Sequence, residues 1–207
     1  NFYKDEIFGV ATDGHRLAKA GVEFSNNVDE PINAIVPRKG VIEIDKQLEE
    51  EDQDIKIIIS KNHMQVTSSF SEAVTKLIDG KFPDYERVIP SSPDKLINVE
   101  CKVFKEALMR VSILSNDRFR GVRLNFLENE IKVSANNPEK EEASDDIKSQ
   151  YIGEPLEVGF NVNYLIDVLN TIKTKNVQIA LKDANSSALI TPENDSTASY
   201  VIMPLRL

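Results

Sequence analysis

ATDGHRLA, Ala11 to Ala18, is the stretch from which the rest of the chain is read. Asp13-Gly14 is the strongest short hairpin signal a sequence offers, because glycine reaches positive φ freely and aspartate bonds back to the amides that follow it. One strand stops before this turn, and the apolar pair Leu17-Ala18 restarts the chain beyond it. The residues at the tip are unusual. Thr12, His15 and Arg16 gather a hydroxyl, an imidazole and a guanidinium around one glycine. Such a set presents donors and a flat cationic surface to a peptide or an anion, while the plainer alternative is a hairpin tip whose polar residues face water.

Length and composition bound what surrounds that hairpin. A chain of 207 residues accommodates one or two domains, and a hydrophobic share of 41% suffices for a packed core. No apolar stretch reaches the length of a membrane span, and the start, NFYKDEIFG, lacks the basic, apolar and cleavage regions of a signal peptide. Without such a signal, the glycosylation-type triplets Asn185-Ser186-Ser187 and Asn194-Asp195-Ser196 carry no weight. Cys101 is the only cysteine, so no intrachain disulfide forms, a reducing cytoplasm suits the chain, and a buried, inert thiol is expected. The net charge of −9 opposes phosphate binding on average, but much of the acid sits in two runs, Glu49 to Asp54 and Glu139 to Asp146.

The pattern repeats at long period. Val36 to Leu48 places Val41, Ile44 and Leu48 on one helical stripe, with Pro37 suited to the first turn. Strands follow at Ile55 to Ile59, His63 to Ser68 and Ala73 to Ile78. Later, Asn161 is placed to cap a helix with Leu165, Leu169 and Ile172 on one face, followed by strands at Val177 to Leu181, Ala188 to Thr191 and Tyr200 to Met203. ATDGHRLA and SANNPEKEE fall at matching places in the two halves, which duplicated domains of about 120 residues would produce. Pro90-Ser91-Ser92-Pro93 disfavours helix and ladder alike and marks the boundary, giving domains 1–90 and 91–207. A further helix, Val103 to Leu114, turns Phe104, Ala107, Leu108 and Val111 to one face and Lys102, Lys105, Glu106, Met109 and Arg110 to others.

Catalysis has little to work with. His15 and His63 are the only imidazoles, no glycine-rich phosphate loop or serine elbow is present, and no Cys/His spacing would hold zinc. The acidic runs lack the alternating oxygen ligands and glycine of a calcium loop. The reading is therefore of a protein that is not an enzyme, with no metal and no cofactor.

ATDGHRLA, IVPRKGVIE, DGKFPDYERVIP, LSNDRFRGVRL, ANNPEKEEA, GFNVNYLIDVLN and YVIMPLRL occur in the order, and near the spacing, of the bacterial beta sliding clamp family, the beta subunit of DNA polymerase III. The resemblance runs over nearly the whole chain. It implies an α+β DNA clamp fold, in which repeated domains of antiparallel sheets place helices along a central channel. Of the family's three domains this chain resembles the end of the middle one and the third, with the first absent. It also implies a non-catalytic, cytoplasmic replication processivity factor, a homodimeric ring when full length. That ring encircles duplex DNA and tethers the replicative polymerase catalytic subunit, the clamp loader, other DNA polymerases and repair proteins. The alternative of another class is an acidic two-domain peptide-binding scaffold with no DNA role.

In the family, a groove between the middle and third domains receives a short peptide carrying a glutamine and a Leu-Phe-like apolar pair. Carried over position by position, the resemblance assigns peptide binding to Thr12, Gly14, His15, Arg16 and Leu17. It adds Pro83, Arg87 and Val88, then Asn161, Tyr164 and Ser187, and finally Val201, Met203, Pro204, Leu205 and Arg206. Leu17, Pro83, Val88, Val201 and Met203 would form one apolar pocket, and His15, Tyr164 and Leu205 a shallower one with a polar edge. For Val201 and Met203, plain strand core is the alternative. The chain departs from the family at Leu205, where methionine is frequent, at Glu86, where a basic residue is frequent, and at Asn185, where an apolar wall residue is usual. Family helices line the hole, which makes Arg38, Lys39, Lys46, Lys102, Lys105, Arg110, Lys173 and Lys175 the DNA-facing candidates; a solvated helix face is the alternative for each lysine. Ile113 and Leu114, beside Ser115-Asn116-Asp117, match apolar residues at the junction between one subunit's third domain and the next subunit's first.

Overall fold

The computed structural model describes residues 1–24, 28, 30–48, 54–116 and 120–206. Most of the acidic run Glu49 to Asp54, and Asp117, lie outside the described residues. The chain divides into two units, Asn1–Ile7 with Glu23–Asp84, and Phe8–Val22 with Tyr85–Leu207. The hairpin of β1 (Glu6–Thr12) and β2 (Arg16–Glu23) thus goes chiefly with the later part of the chain, and Pro90 to Pro93 lies just inside that second unit.

The first unit holds α1 (Arg38–Gln47) and an antiparallel sheet of β3 (Lys56–Ile59), β4 (His63–Thr67) and β5 (Glu72–Lys76) in that order. Pro37 occupies the position before the first helical residue. Gly40 lets α1 approach β5, because a Cβ there would run into the Thr75 side chain. The expected apolar stripe does not become a core: α1 buries no residue, and Val41 is 51% exposed. Strand β5 also ends earlier than its apolar pattern suggests. The Leu77 and Ile78 amides leave the ladder to bond the carbonyls of Asn62 and Ile35, at 2.7 and 2.9 Å.

In the second unit a 3-10 turn at Glu86–Val88 precedes two copies of one strand–helix–three-strand motif. The first copy is β6 (Lys95–Glu100), α2 (Cys101–Ser112), β7 (Gly121–Leu127), β8 (Glu130–Asn136) and β9 (Glu142–Lys148). The second is β10 (Leu156–Asn161), α3 (Val162–Thr171), β11 (Asn176–Leu181), β12 (Ala188–Pro192) and β13 (Ala198–Ile202). The copies exchange their first strands. Strand β10 heads the sheet β10-β7-β8-β9, while β6 closes the sheet β1-β2-β13-β12-β11-β6. Between these sheets and the paired helices lies the core, with Ile97, Phe104, Leu108, Leu124, Phe126, Phe160, Leu165 and Ile190 almost wholly buried. Each such side chain contributes about 1.5–3 kcal/mol of transfer free energy.

Local chemistry fixes the elements that matter below. The Asn161 side chain accepts from the Asn163 amide at 3.0 Å and so starts α3 where the sequence places it. Strand β13 ends at Ile202, one residue before the expected Met203, because Pro204 has no N–H with which to continue a ladder. The tail instead alternates partners: the Met203 amide donates to the His15 carbonyl at 2.9 Å and the Leu205 amide to the Gly159 carbonyl at 2.7 Å.

Candidate functional site

Local hydrogen bonds hold the ATDGHRLA tip. Gly14 sits at φ +88°, open to glycine and strained for other residues. Asp13 Oδ1 accepts from the amides of His15 and Arg16, each at 3.0 Å. The Thr12 hydroxyl donates to the Arg16 carbonyl at 2.8 Å and accepts from the Gly14 amide at 3.2 Å. Partial burial works to raise the Asp13 pKa, but those amides and the Arg16 guanidinium outweigh it and hold the carboxyl below its ordinary value.

Arg16 ties this tip to α3. Its Nη1 bonds Asp167 Oδ2 at 2.6 Å, its Nε bonds Asp13 Oδ2 at 3.0 Å, and its guanidinium lies 4.4 Å from the centre of the Tyr164 ring. The bond to Asp167 leads in raising the Arg16 pKa above its ordinary value. Tyr164 and Asp167 are three residues apart on α3 and therefore share a face. Sequence reasoning missed Asp167; a carboxylate one turn beyond Tyr164 was the signal for it. The polar edge expected around His15 and Tyr164 is thus a cation held over an aromatic ring by two carboxylates.

Below the tip lies an apolar strip. Leu17 and Val201 face each other across β2 and β13 and are 4% and 2% exposed, on the sheet face turned away from the core residues Ile190 and Ile202. Met203, next along the tail, is 38% exposed. Pro204 and Leu205 are half-buried, as are Val88, Asn161, Tyr164 and Ser187, while Thr12, Gly14, His15, Arg87 and Arg206 are exposed. Hydrogen bonds join the tip, α3 and the tail within the second unit; Ser187 stands directly before β12 in that unit. Pro83, exposed, belongs to the first unit.

The basic candidates are scattered by comparison. Arg110 is bound by Asp145, with contacts of 2.8 and 2.6 Å, and Lys46 pairs with Glu43 at 3.1 Å. Lys102 approaches Glu106 at 3.9 Å. Arg38, Lys39, Lys173 and Lys175 are exposed and Lys105 is half-buried. Of the two junction candidates, Ile113 is 78% exposed and Leu114 half-buried. Cys101 is buried, with Sγ 3.6 Å from the Leu169 carbonyl, and burial pushes its thiol pKa up. Among the described residues no group of three or more His, Cys, Asp or Glu converges as a metal site, and no helix is long and apolar enough to cross a membrane.

Both units have relatives among known proteins. Residues 86–206 match the family "DNA polymerase III beta subunit, C-terminal domain", and residues 1–84 match its "central domain". The beta sliding clamp of Pseudomonas aeruginosa is 44% identical over 198 residues, covering 96% of this chain and 54% of that protein. The Escherichia coli K12 clamp is 44% identical over 203 residues, covering 98% and 55%. A solved Pseudomonas aeruginosa DnaN sliding clamp bound to griselimycin superposes with a TM-score of 0.96 at 42% identity, over 100% of this chain and 56% of that one. Caulobacter crescentus pol III beta gives a TM-score of 0.91 at 33% identity, over 98% and 54%. The chain therefore spans about half the length of the relatives it matches, and within that span it has the same α+β fold. With both family descriptions matched in order along nearly every residue, this chain belongs to the DNA polymerase III beta subunit family, the bacterial sliding clamps.

Proposed function

We propose that this chain is the C-terminal part of the middle domain, residues 1–90, and the third domain, residues 91–207, of a non-catalytic replication processivity clamp in the cytoplasm. Its work is to hold partner proteins by short peptides. The observation that carries this reading is the tip of the β1–β2 hairpin locked on α3 through Arg16, with the tail Met203 to Arg206 hydrogen-bonded alongside it. Half-exposed apolar side chains beside a rigid polar edge suit a peptide with a glutamine and a Leu-Phe-like pair. Polymerase subunits, the clamp loader and repair proteins are the partners in view.

Duplex DNA would be held by topology rather than by contact. Arg110, Lys46 and Lys102 are occupied by the chain's own carboxylates, and the net charge of −9 opposes tight phosphate binding. The exposed Ile113 is consistent with an apolar contact to a first domain in a full-length homodimer. The test is retention on DNA. A form extended to the length of its relatives should stay on nicked circular DNA once loaded and be lost when the circle is cut, while the 207-residue chain shows negligible affinity for linear duplex at physiological salt. Tight, salt-sensitive binding of this chain to linear duplex would favour a basic binding patch instead.

A further inference from the structure

In this acidic chain Arg16 is paired with Asp13 and Asp167, and Arg110 with Asp145. Arg123 and Arg206 differ. Among the described residues no carboxylate lies within ion-pair reach of either. Both line one cavity of about 400 Å³, together with Asn116, Asn136, Asn137 and Leu205.

Strand alternation builds the floor of this cavity. In β7, Val122 and Leu124 point into the core, so Arg123 points out of the opposite face. Its neighbours across the ladder are Gly159 in β10 and Ser134 in β8, one with no side chain and one with a small hydroxyl. Neither neighbour is large enough to cover the half-buried Arg123, which lines the recess. The bond from the Leu205 amide to the Gly159 carbonyl draws Leu205 and Arg206 along one side, and Asn136 and Asn137 stand at the end of β8 on another. The Glu141 carboxylate accepts from Asn137 Nδ2 at 2.7 Å, which commits it to an amide.

We infer that this cavity is a carboxylate pocket, taking an aspartate or glutamate side chain that flanks the apolar residues of a docked partner peptide. Two guanidinium forks offer paired N–H donors to a planar carboxylate, and of the two Arg123 is the half-buried one, less screened by water than the exposed Arg206. Continuity selects a peptide over a free anion, because Leu205 and Arg206 belong both to the cavity and to the docking tail. The inference rests on the docking reading and sharpens it, adding an acidic flank to the partner's apolar motif.

Fluorescence polarisation with the 207-residue chain tests it, using a labelled peptide that carries the glutamine and the Leu-Phe pair. Two aspartates are added at one end or the other, with asparagines as the isosteric control. One of the two aspartate peptides should bind about tenfold tighter than its asparagine twin. Arg206→Gln and Arg123→Gln should each erase that difference, and Lys61→Gln, which changes net charge equally, should preserve it. Arg206 is exposed on the tail, so its variant reports even if Arg123→Gln fails to fold. Equal binding of aspartate and asparagine peptides at both ends, with Met203→Ala still weakening every one, overturns the pocket and leaves the docking reading standing. A preference that survives in both arginine variants overturns the pocket as well. Failure of every peptide to bind the unmodified chain overturns the docking reading and the pocket with it.

Discussion

Met64 and Val66 are the buried apolar side chains of the first unit among the described residues, whereas the second unit closes a core reaching from Ile97 to Ile202. The sequence patterns of the two are alike. Each has an amphipathic helix followed by three antiparallel strands, yet α1 buries nothing while α3 buries Val162, Leu165, Val168 and Leu169. Val41, Ile57, Ile58 and Val74 of the first unit remain between 41% and 59% exposed. Every proposed docking residue except Pro83 sits in the second unit. The difference teaches that amphipathic pattern specifies elements but not whether a face is covered, and the docking candidates stand almost wholly on the unit whose core is closed.

The largest effect expected from this contrast is on stability. Phe104→Ala, at a side chain with no exposure, should lower the unfolding free energy by about 3–5 kcal/mol. Val74→Ala, at a 59% exposed position, should change it by less than about 0.5 kcal/mol. Denaturant titration followed by circular dichroism measures both, and similar costs would erase the distinction between the units. Hydrogen exchange sharpens the same contrast without mutation. Amides of β7, β8 and α3 should be the slowest in the chain and those of β3 and β5 among the fastest. Equal protection would break the comparison.

Smaller effects belong to the tip. The Arg16–Asp167 pair is partly exposed, so Asp167→Asn should cost about 0.5–1 kcal/mol of stability, and a double-mutant cycle with Arg16→Gln should recover most of that as coupling. Zero coupling would remove Arg16 as the tie between hairpin and helix. Asp13 sets the pH dependence. Because its folded pKa is depressed, its contribution is complete above the ordinary carboxylate value of 3.8 and is lost as pH falls through the lower folded one. The His15 and Arg16 amide resonances should therefore hold steady at about pH 4 and shift only in stronger acid; a transition in the usual carboxylate range would contradict the bonding described.

Much of this was legible in the sequence. Asp13-Gly14 announced the hairpin, Asn161 its helix cap, and the spacing of Phe104, Ala107, Leu108 and Val111 the buried face of α2, because each is a short-range matter of conformation or period. What escaped depends on chain segments far apart. Asp167 meets Arg16 across 151 positions, and the exchange of β6 and β10 between sheets follows from long-range pairing that leaves no local mark. The helix read from Val41, Ile44 and Leu48 forms at Arg38–Gln47, but that stripe records an amphipathic face and not whether anything covers it.

The central claim is that tip and tail form one peptide-docking site, and Met203 tests it with least ambiguity because it is 38% exposed and lies outside the core. A fluorescent peptide carrying a glutamine and a Leu-Phe pair should bind the unmodified chain, and Met203→Ala should weaken that binding at least about tenfold, the loss of one apolar anchor. Unchanged affinity in Met203→Ala would contradict the account.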